Sequence, residues 1–252
     1  MIEVKGLNKS FGENHVLQDI NAKFYKGKVN IIIGQSGSGK TVLTKCMVGL
    51  HDVESGTIEY DGVDFASLDF QDKTKIRKDI GMLFQAGALF DSMTVEENVM
   101  FPLSMFTNQS LAERRERANF CLQRVTLPNA NALYPSELSG GMKKRVAIAR
   151  AIAMNPKYLY CDEPNSGLDP KTGLVIDKLI QEITEEYNIT TIVITHDMNS
   201  VIEIGDNIHF IYKGKKWWEG SKEEILRTDN KEVNDFVYAS EFMKMVKKDL
   251  AK

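Results

Sequence analysis

Gly34-Gln35-Ser36-Gly37-Ser38-Gly39-Lys40-Thr41 follows the apolar run Val29-Asn30-Ile31-Ile32-Ile33 and precedes residues 41–50, whose apolar positions recur at helical spacing. Strand, glycine-rich turn and helix in that order aim backbone N–H groups at an anion, and the helix dipole favours negative charge there. The fixed glycines, Lys40 and the hydroxyl of Thr41 complete a phosphate-loop pattern: the lysine reaches β- and γ-phosphates and the hydroxyl ligates Mg²⁺. The pattern predicts an α/β chain with a P-loop core and ATP and Mg²⁺ as its ligands.

Working outward, residues 80–84, 158–161 and 190–195 are further short apolar runs that stop at glycine or polar residues, as buried strands do. Residues 172–186 read as a helix after a strand end, so the repeated order implies a mostly parallel sheet covered on both faces. The alternation in residues 2–7 and 21–25 predicts an N-terminal antiparallel part. Between about 86 and 154 strand signals vanish and helices are predicted at 95–105, 111–124 and 143–154, a helical subdomain inserted into a 1–220 ATPase domain. A β pair, 208–212 and 216–219, turns through Lys213-Gly214-Lys215. Residues 221–252 read as a charged helical tail, with Val233, Phe236, Val237, Phe242, Met245 and Val246 at helical spacing.

The 252 residues are 42% hydrophobic and 27% charged, with a net charge of -3. That suffices for one large domain, and the lack of a basic excess argues against nucleic acid as a partner. Cys46, Cys121 and Cys161 are scattered without metal-like spacing and read as buried, reduced thiols. The chain shows no signal-peptide pattern and no run of eighteen apolar residues, so any membrane role is expected to come through a partner.

Chemistry gathers at strand ends. Asp162 closes an apolar strand and would orient Mg²⁺ through water, while Glu163, next in line and pointing differently, would polarise the attacking water as general base. His196 ends another strand and would hydrogen-bond the γ-phosphate. Gln85 offers an amide for Mg²⁺ or water. Leu138-Ser139-Gly140-Gly141-Met142 opens a helix with a hydroxyl and unpaired N–H donors facing an anion, with Lys143 and Lys144 adding positive potential nearby.

Taken together, residues 1–220 resemble the nucleotide-binding subunits of ABC transporters. The resemblance implies that Phe11 stacks on adenine and that Ser166, Gly167, Leu168 and Asp169 form the D-loop. It also implies that two copies pair head to tail, with Ser139, Gly140, Gly141 and Met142 covering the nucleotide of the other copy. The sequence departs from the usual pattern at Met142, where glutamine is common, and at Asn165, where threonine is common. Neither removes a phosphate ligand.

Residues 82–103, with Gly-Ala-Leu-Phe after Gln85 and Asn-Val-Met-Phe-Pro-Leu further on, are similar to the Mla-type ATPases that power lipid traffic between bacterial membranes. That likeness implies integral membrane permease subunits, a small accessory subunit or lipid-binding protein, and a peripheral position on the cytoplasmic side of the inner membrane. The stretch after Gln85 would receive a permease helix in an apolar groove. The tail would dock on the other ATPase or an accessory subunit, or else pack on its own domain. The rival readings are the ATPase of another importer, for example of polar amino acids, and a soluble non-transport relative. The Trp217-Trp218 pair reads as strand packing with exposed surface.

Overall fold

The computed structural model describes residues 1–239, 243–245 and 247. Its framework is a six-stranded sheet of order β10-β9-β3-β8-β7-β6 and a four-stranded sheet of order β2-β1-β4-β5. The central strands are β3 (Val29–Ile33), β6 (Ile80–Leu83), β7 (Tyr158–Asp162), β8 (Thr190–Ile194) and β9 (Asn207–Tyr212). They pair in parallel from β9 to β6, and β10 (Lys215–Gly220) adds an antiparallel edge. All five residues of β3 and of β8 are buried, which is why these strands read as continuous apolar runs without alternation.

Side chains alternate across the central sheet and divide the core in two. Ile32, Tyr160, Ile192 and Ile194 face the antiparallel sheet, made of β1 (Ile2–Phe11), β2 (Asn14–Phe24), β4 (Ser55–Tyr60) and β5 (Val63–Asp64), and share that core with Leu43 and Met47 of α1 (Lys40–Met47). Ile31, Ile33, Leu159, Cys161 and Val193 face the helices on the other side. Tyr60 ties the first core together: its hydroxyl lies 2.7 Å from the Tyr160 hydroxyl and donates to the Met47 carbonyl at 2.9 Å. Asn30, wholly buried on β3, is satisfied by accepting from the Tyr25 N–H and donating to the Tyr25, Lys28 and Thr191 carbonyls.

The helices α3 (Val95–Phe106), α4 (Leu111–Arg124) and α5 (Gly140–Ile152) lie between β6 and β7 in the chain. Thr94 and Ser110 begin the first two with capping boxes completed by Glu97 and Glu113. After β7 come α6 (Pro170–Glu186) and α7 (Met198–Ile204), then α8 (Lys222–Ile225) and α9 (Lys231–Val237). Val233 and Val237 of α9 are buried in the helical-side core and Phe236 packs against it. These tail positions therefore cover their own chain. Met245 is 63% exposed, while Phe242 and Val246 lie outside the described residues.

Several boundaries differ from expectation. The run at 80–84 ends as a strand at Leu83, and Phe84 turns outward, 41% exposed. The first two strands are longer than their alternating segments, because Gly12 takes a left-handed φ of 60° and lets Phe11 pair with Asn14 across a tight turn. The strands β4 and β5 and the helix α2 (Phe70–Lys78) went unread: α2 buries no residue, so it carries no apolar stripe. The three cysteines are free and buried, as expected.

His209, 1% exposed on β9, packs its ring 4.8 Å from Phe24, and its Nε2 lies 3.1 Å from the Lys23 carbonyl and 2.9 Å from the Asn207 amide nitrogen. Burial, the largest cause, lowers its pKa to about 4 against a small opposing pull from Glu219. A neutral buried imidazole stabilises the fold above its unfolded value near 6.5, and that contribution is lost as pH falls from there through about 4. Urea titrations should therefore show wild-type stability falling between neutral pH and about pH 4 by about 3 kcal/mol more than that of His209→Gln. Equal losses in the two proteins would contradict the assignment.

Candidate nucleotide site

Because the central strands run parallel, their C-terminal ends share one edge of the sheet, the edge where open α/β sheets bind ligands. Just beyond that edge, β3 ends in the Gly34 loop, β6 leads to Gln85, β7 leads to Glu163 and β8 leads to His196. Gly34, Gln35, Ser36, Gly37, Gly39, Lys40, Thr41, Gln85, Asp162, Glu163 and His196 line a single cleft of about 680 Å³.

The loop has the form a phosphate requires. Gly34, Gly37 and Gly39 all take positive φ, and a Cβ on Gly34 would press into the Ile211 carbonyl. Ser38 is buried with its hydroxyl unpaired. Lys40 folds back so that its amine donates to the Gly34 carbonyl at 2.8 Å and the Gln35 carbonyl at 3.1 Å. Its pKa is lowered, chiefly by burial, with Glu163 and Asp162 pulling the other way. Burial, then Glu163, raises that of Asp162, against Lys45, Lys40 and Lys144. This hole has carboxylate, hydroxyl and amide oxygens along its wall, the hard donors that suit Mg²⁺. Among the described residues no cluster of three or more His, Cys, Asp or Glu side chains forms a metal cage, so such an ion would share its shell with substrate phosphates.

Glu163 is held in an unusual backbone conformation, φ 47°. Its N–H donates to the Ile194 carbonyl at 2.9 Å and its carbonyl accepts from the Lys144 amine at 3.2 Å. His196 Nδ1 lies 2.8 Å from Glu163 Oε1. A non-glycine residue at positive φ persists where its surroundings over-determine it, and such positions cluster at functional sites. Lys144 also donates to the Gln85 carbonyl. This corrects the sequence expectation for Lys144: it is 5% exposed and turned inward from α5 onto the Gln85 and Glu163 backbones, away from the surface of the Leu138–Met142 loop. The neighbouring carbonyls repay the burial of its charge.

Other expected residues stand apart. Gln85 lines the cleft, but its amide donates to the Ser166 hydroxyl at 3.2 Å. Phe11 does not line the cleft; it is 46% exposed, with its ring edge-on to His51 at 5.3 Å and the Lys9 amine 5.1 Å above it. Ser139 caps α5 by accepting from the Met142 N–H at 3.3 Å, and a Cβ on Gly141 would meet Thr172 at 2.6 Å. Ser139, Gly140, Gly141 and Met142 thus sit against the start of α6, outside their own chain's cleft. Asp169 caps α6 through the Thr172 N–H at 3.0 Å, and Gly167 takes a φ of 79° in the turn before it.

Sequence reasoning missed four lining residues, Val16, Val42, Ile194 and Phe236. Phe236 of α9 closes a flank of the cleft beside His196 and Ile194, its ring 5.4 Å from Phe210. Helical spacing marked it as apolar but carries no information about which surface the helix covers.

A glycine cradle, a half-buried lysine and two acids at the carboxyl edge of a parallel sheet define a P-loop nucleoside triphosphatase. The ABC transporter family model matches residues 17–166. The chain belongs to the ABC transporter family, in which it is an ATP-binding, ATP-hydrolysing subunit. It is 40% identical to the intermembrane phospholipid transport system ATP-binding protein MlaF of Haemophilus influenzae, over 94% of this chain and 90% of that one. It is 37% identical to the probable ribonucleotide transport ATP-binding protein mkl of Mycobacterium leprae, over 94% of this chain and 68% of that one. It is 36% identical to the methionine import ATP-binding protein MetN of Campylobacter jejuni, over 96% and 77%. The dimeric structure of the cassette MJ0796 in a post-hydrolysis state with ADP and Pi matches with a TM-score of 0.79 at 36% identity, covering 88% of this chain and 99% of that one.

If Lys144 holds the Glu163 and Gln85 backbones in place, Lys144→Met should lower the turnover number about tenfold or more while nucleotide affinity changes little. Steady-state ATPase assays beside equilibrium nucleotide binding check this. A matching fall in affinity would assign Lys144 to ground-state binding instead.

Proposed function

We propose that this chain is the motor of a lipid transporter, pairing with a second copy and driving a separate membrane permease. The observation that carries the ATPase half is the Glu163–His196 contact at 2.8 Å inside the glycine-lined cleft. Likeness to MlaF, of which the chain spans 90%, supports the lipid cargo, together with the run of residues 82–103. Likeness to MetN favours a second reading, methionine or another polar amino acid as cargo, with the same enzyme chemistry.

In this reading Lys40 and the N–H groups of residues 34–41 bind the phosphates, and Thr41, Gln85 and Asp162, the last through water, hold Mg²⁺. The ion supplies charge neutralisation across the phosphate oxygens. Glu163 accepts a proton from the attacking water. A neutral His196 that gives its Nδ1–H to Glu163 has only a bare Nε2 left, so it can donate to a phosphate oxygen only by leaving Glu163. Engagement of the phosphate and release of the base are then one event.

The Ser139–Met142 loop lies outside its own cleft, which supports its acting on the nucleotide of a second, head-to-tail copy, with Ser166, Gly167, Leu168 and Asp169 at the same interface. Phe11, exposed and outside the lining of the cleft, is the candidate to stack on adenine. Among the described residues no helix is long and apolar enough to cross a membrane, so coupling requires integral membrane subunits. Their docking surface is the loop after Gln85. There Asn98 bonds the Phe90, Met93 and Thr94 carbonyls, Arg150 bonds the Gly87 and Ala88 carbonyls, and Phe84 and Phe90 stay exposed. A small accessory subunit or lipid-binding protein completes the assembly, peripheral on the cytoplasmic side of the inner membrane.

Glu163→Gln should cut turnover by about a hundredfold or more while ATP still binds, and should accumulate an ATP-bound dimer on size exclusion. Lys40→Ala should weaken nucleotide binding itself, read by a fluorescent ATP analogue. Near-normal turnover in Glu163→Gln would remove Glu163 as the base. For the cargo, the assembled membrane complex should co-purify with phospholipid under mass spectrometry. Release of methionine in place of lipid would favour the second reading.

A further inference from the structure

Asn165 and Asp177 form a half-completed pair in the interior between the loop after Glu163, α6 and α7. Asp177 is 1% exposed and Ser200 is fully buried. The Asn165 amide donates to Asp177 Oδ2 at 2.8 Å and to the Ser200 hydroxyl at 3.0 Å. The other oxygen of each partner, Asn165 Oδ1 and Asp177 Oδ1, is buried without any hydrogen-bond partner. Two orphaned acceptors on one bonded pair are costly, and neither an amide oxygen nor a carboxylate oxygen can relieve the other.

One proton satisfies both. Carried on Asp177 Oδ1, it is donated to Asn165 Oδ1, and acid and amide then face each other through two antiparallel hydrogen bonds. We propose that Asp177, in its protonated form, closes a ring with Asn165, and that this pair is the lock that positions residues 165–169 against α6 and α7. Neither residue touches the nucleotide cleft; both act through the loop and through the helix that follows His196. The pair itself stands on geometry alone, while its effect on turnover rests on the nucleotide-site reading above.

Three features support the lock. Gly173 faces Asn165, and an added Cβ there would stand 3.5 Å from Asn165 Cγ, so the helix surface is flush against the amide. Ser200 belongs to α7, whose first turn Asp197 caps directly after His196, so the second amide proton reaches the His196 segment. Burial, the largest cause, pushes the Asp177 carboxyl up to about 6; the nearby Ser200 hydroxyl and Asn165 amide oppose it, and Asp197 and Glu203 of α7 raise it further. Asp169 lines the same hollow and the Cys161 thiol approaches from β7, so no cation is among the groups that shift it. Asparagine differs here from the more common threonine in having two amide protons, which donate to Asp177 and Ser200 together, where a hydroxyl has one to give.

Carbon-13 labelling of aspartate carboxyls tests the pair directly, with the Asp177 signal identified by its loss in Asp177→Asn. Asp177 should titrate at about pH 6 or above, and lower by about one unit or more in Asn165→Thr. Titration near the ordinary value of about 4, or at the same pH in both proteins, overturns the pair. If Asp177→Asn does not fold, sequential backbone assignment identifies the signal and Asn165→Thr carries the comparison. For positioning, Asp177→Asn rebuilds the ring with two amides and no proton, so it should be insensitive to this titration. Wild-type turnover divided by that of Asp177→Asn should fall about threefold or more between about pH 5.5 and pH 8, as the ionised carboxylate breaks the ring. A constant ratio overturns the positioning role while leaving the ATPase reading intact; loss of ATP binding in the wild type itself would instead remove that reading.

Discussion

The parallel register of β3, β8, β7 and β6 is the constraint on which the site depends. Val29 pairs with Thr191, Tyr158 with Thr190 and Ile80 with Tyr158, so four chains of different sequence position leave the sheet at the same height. A parallel strand pair needs a crossover, and the crossovers here carry helices that cover the sheet, α6 from β7 to β8 and α7 from β8 to β9 among them. The fully buried strands, the two cores and the common edge are thus consequences of one pairing pattern. A register slip of one residue in β7 would turn Tyr160 and Cys161 into each other's core and carry Asp162 away from Lys40.

Upon that edge the chain places charges that would be unstable apart. Asp162 has its pKa raised and Lys40 its pKa lowered, both first by burial, and each is among the opposing causes for the other. Lys144 arrives from the opposite side, buried and bonded to two backbone carbonyls instead of to a carboxylate. That choice leaves the Asp162 and Glu163 carboxylates unpaired with Lys144, and Glu163 keeps its contact with His196. It also fastens α5, a helix of the inserted segment, to the backbone of Glu163, so movement of that segment bears on the acid's carbonyl.

Legibility in the sequence followed how local each cause was. The phosphate loop was readable because glycine, lysine and hydroxyl do their work within eight consecutive residues. The buried parallel strands were readable because burial on both faces leaves an unbroken apolar run. By contrast, α2 buries nothing, and β5 is two residues long, so neither leaves a pattern. Lys144 looked like a surface charge because a lysine beside Lys143 and Arg145 usually is one; only the turn of α5 decides which of the three points inward. Phe236 and the Asn165–Asp177 contact, twelve residues apart across a loop and two helical turns, depend on tertiary packing that composition does not encode.

The cleft also bears on the proposed pairing of two copies. Its floor is complete, with loop, lysine, acids and His196 gathered, yet the loop best suited to cap a terminal phosphate faces elsewhere. Ser139 uses its hydroxyl to accept from the Met142 N–H, a weak use of a group at the positive end of a thirteen-residue helix. Gly140 and Gly141 keep the helix start free of side chains, and behind them Thr172 and Leu168 are packed close. A rigid, glycine-bare helix N-terminus with unpaired N–H groups gains most from an anion brought to it from outside. The anion its own chain binds is in the cleft that this loop does not line. In the head-to-tail pairing proposed above, the physical demand of the Ser139–Met142 loop and the open side of the cleft would be complementary, and a second copy would satisfy both at once.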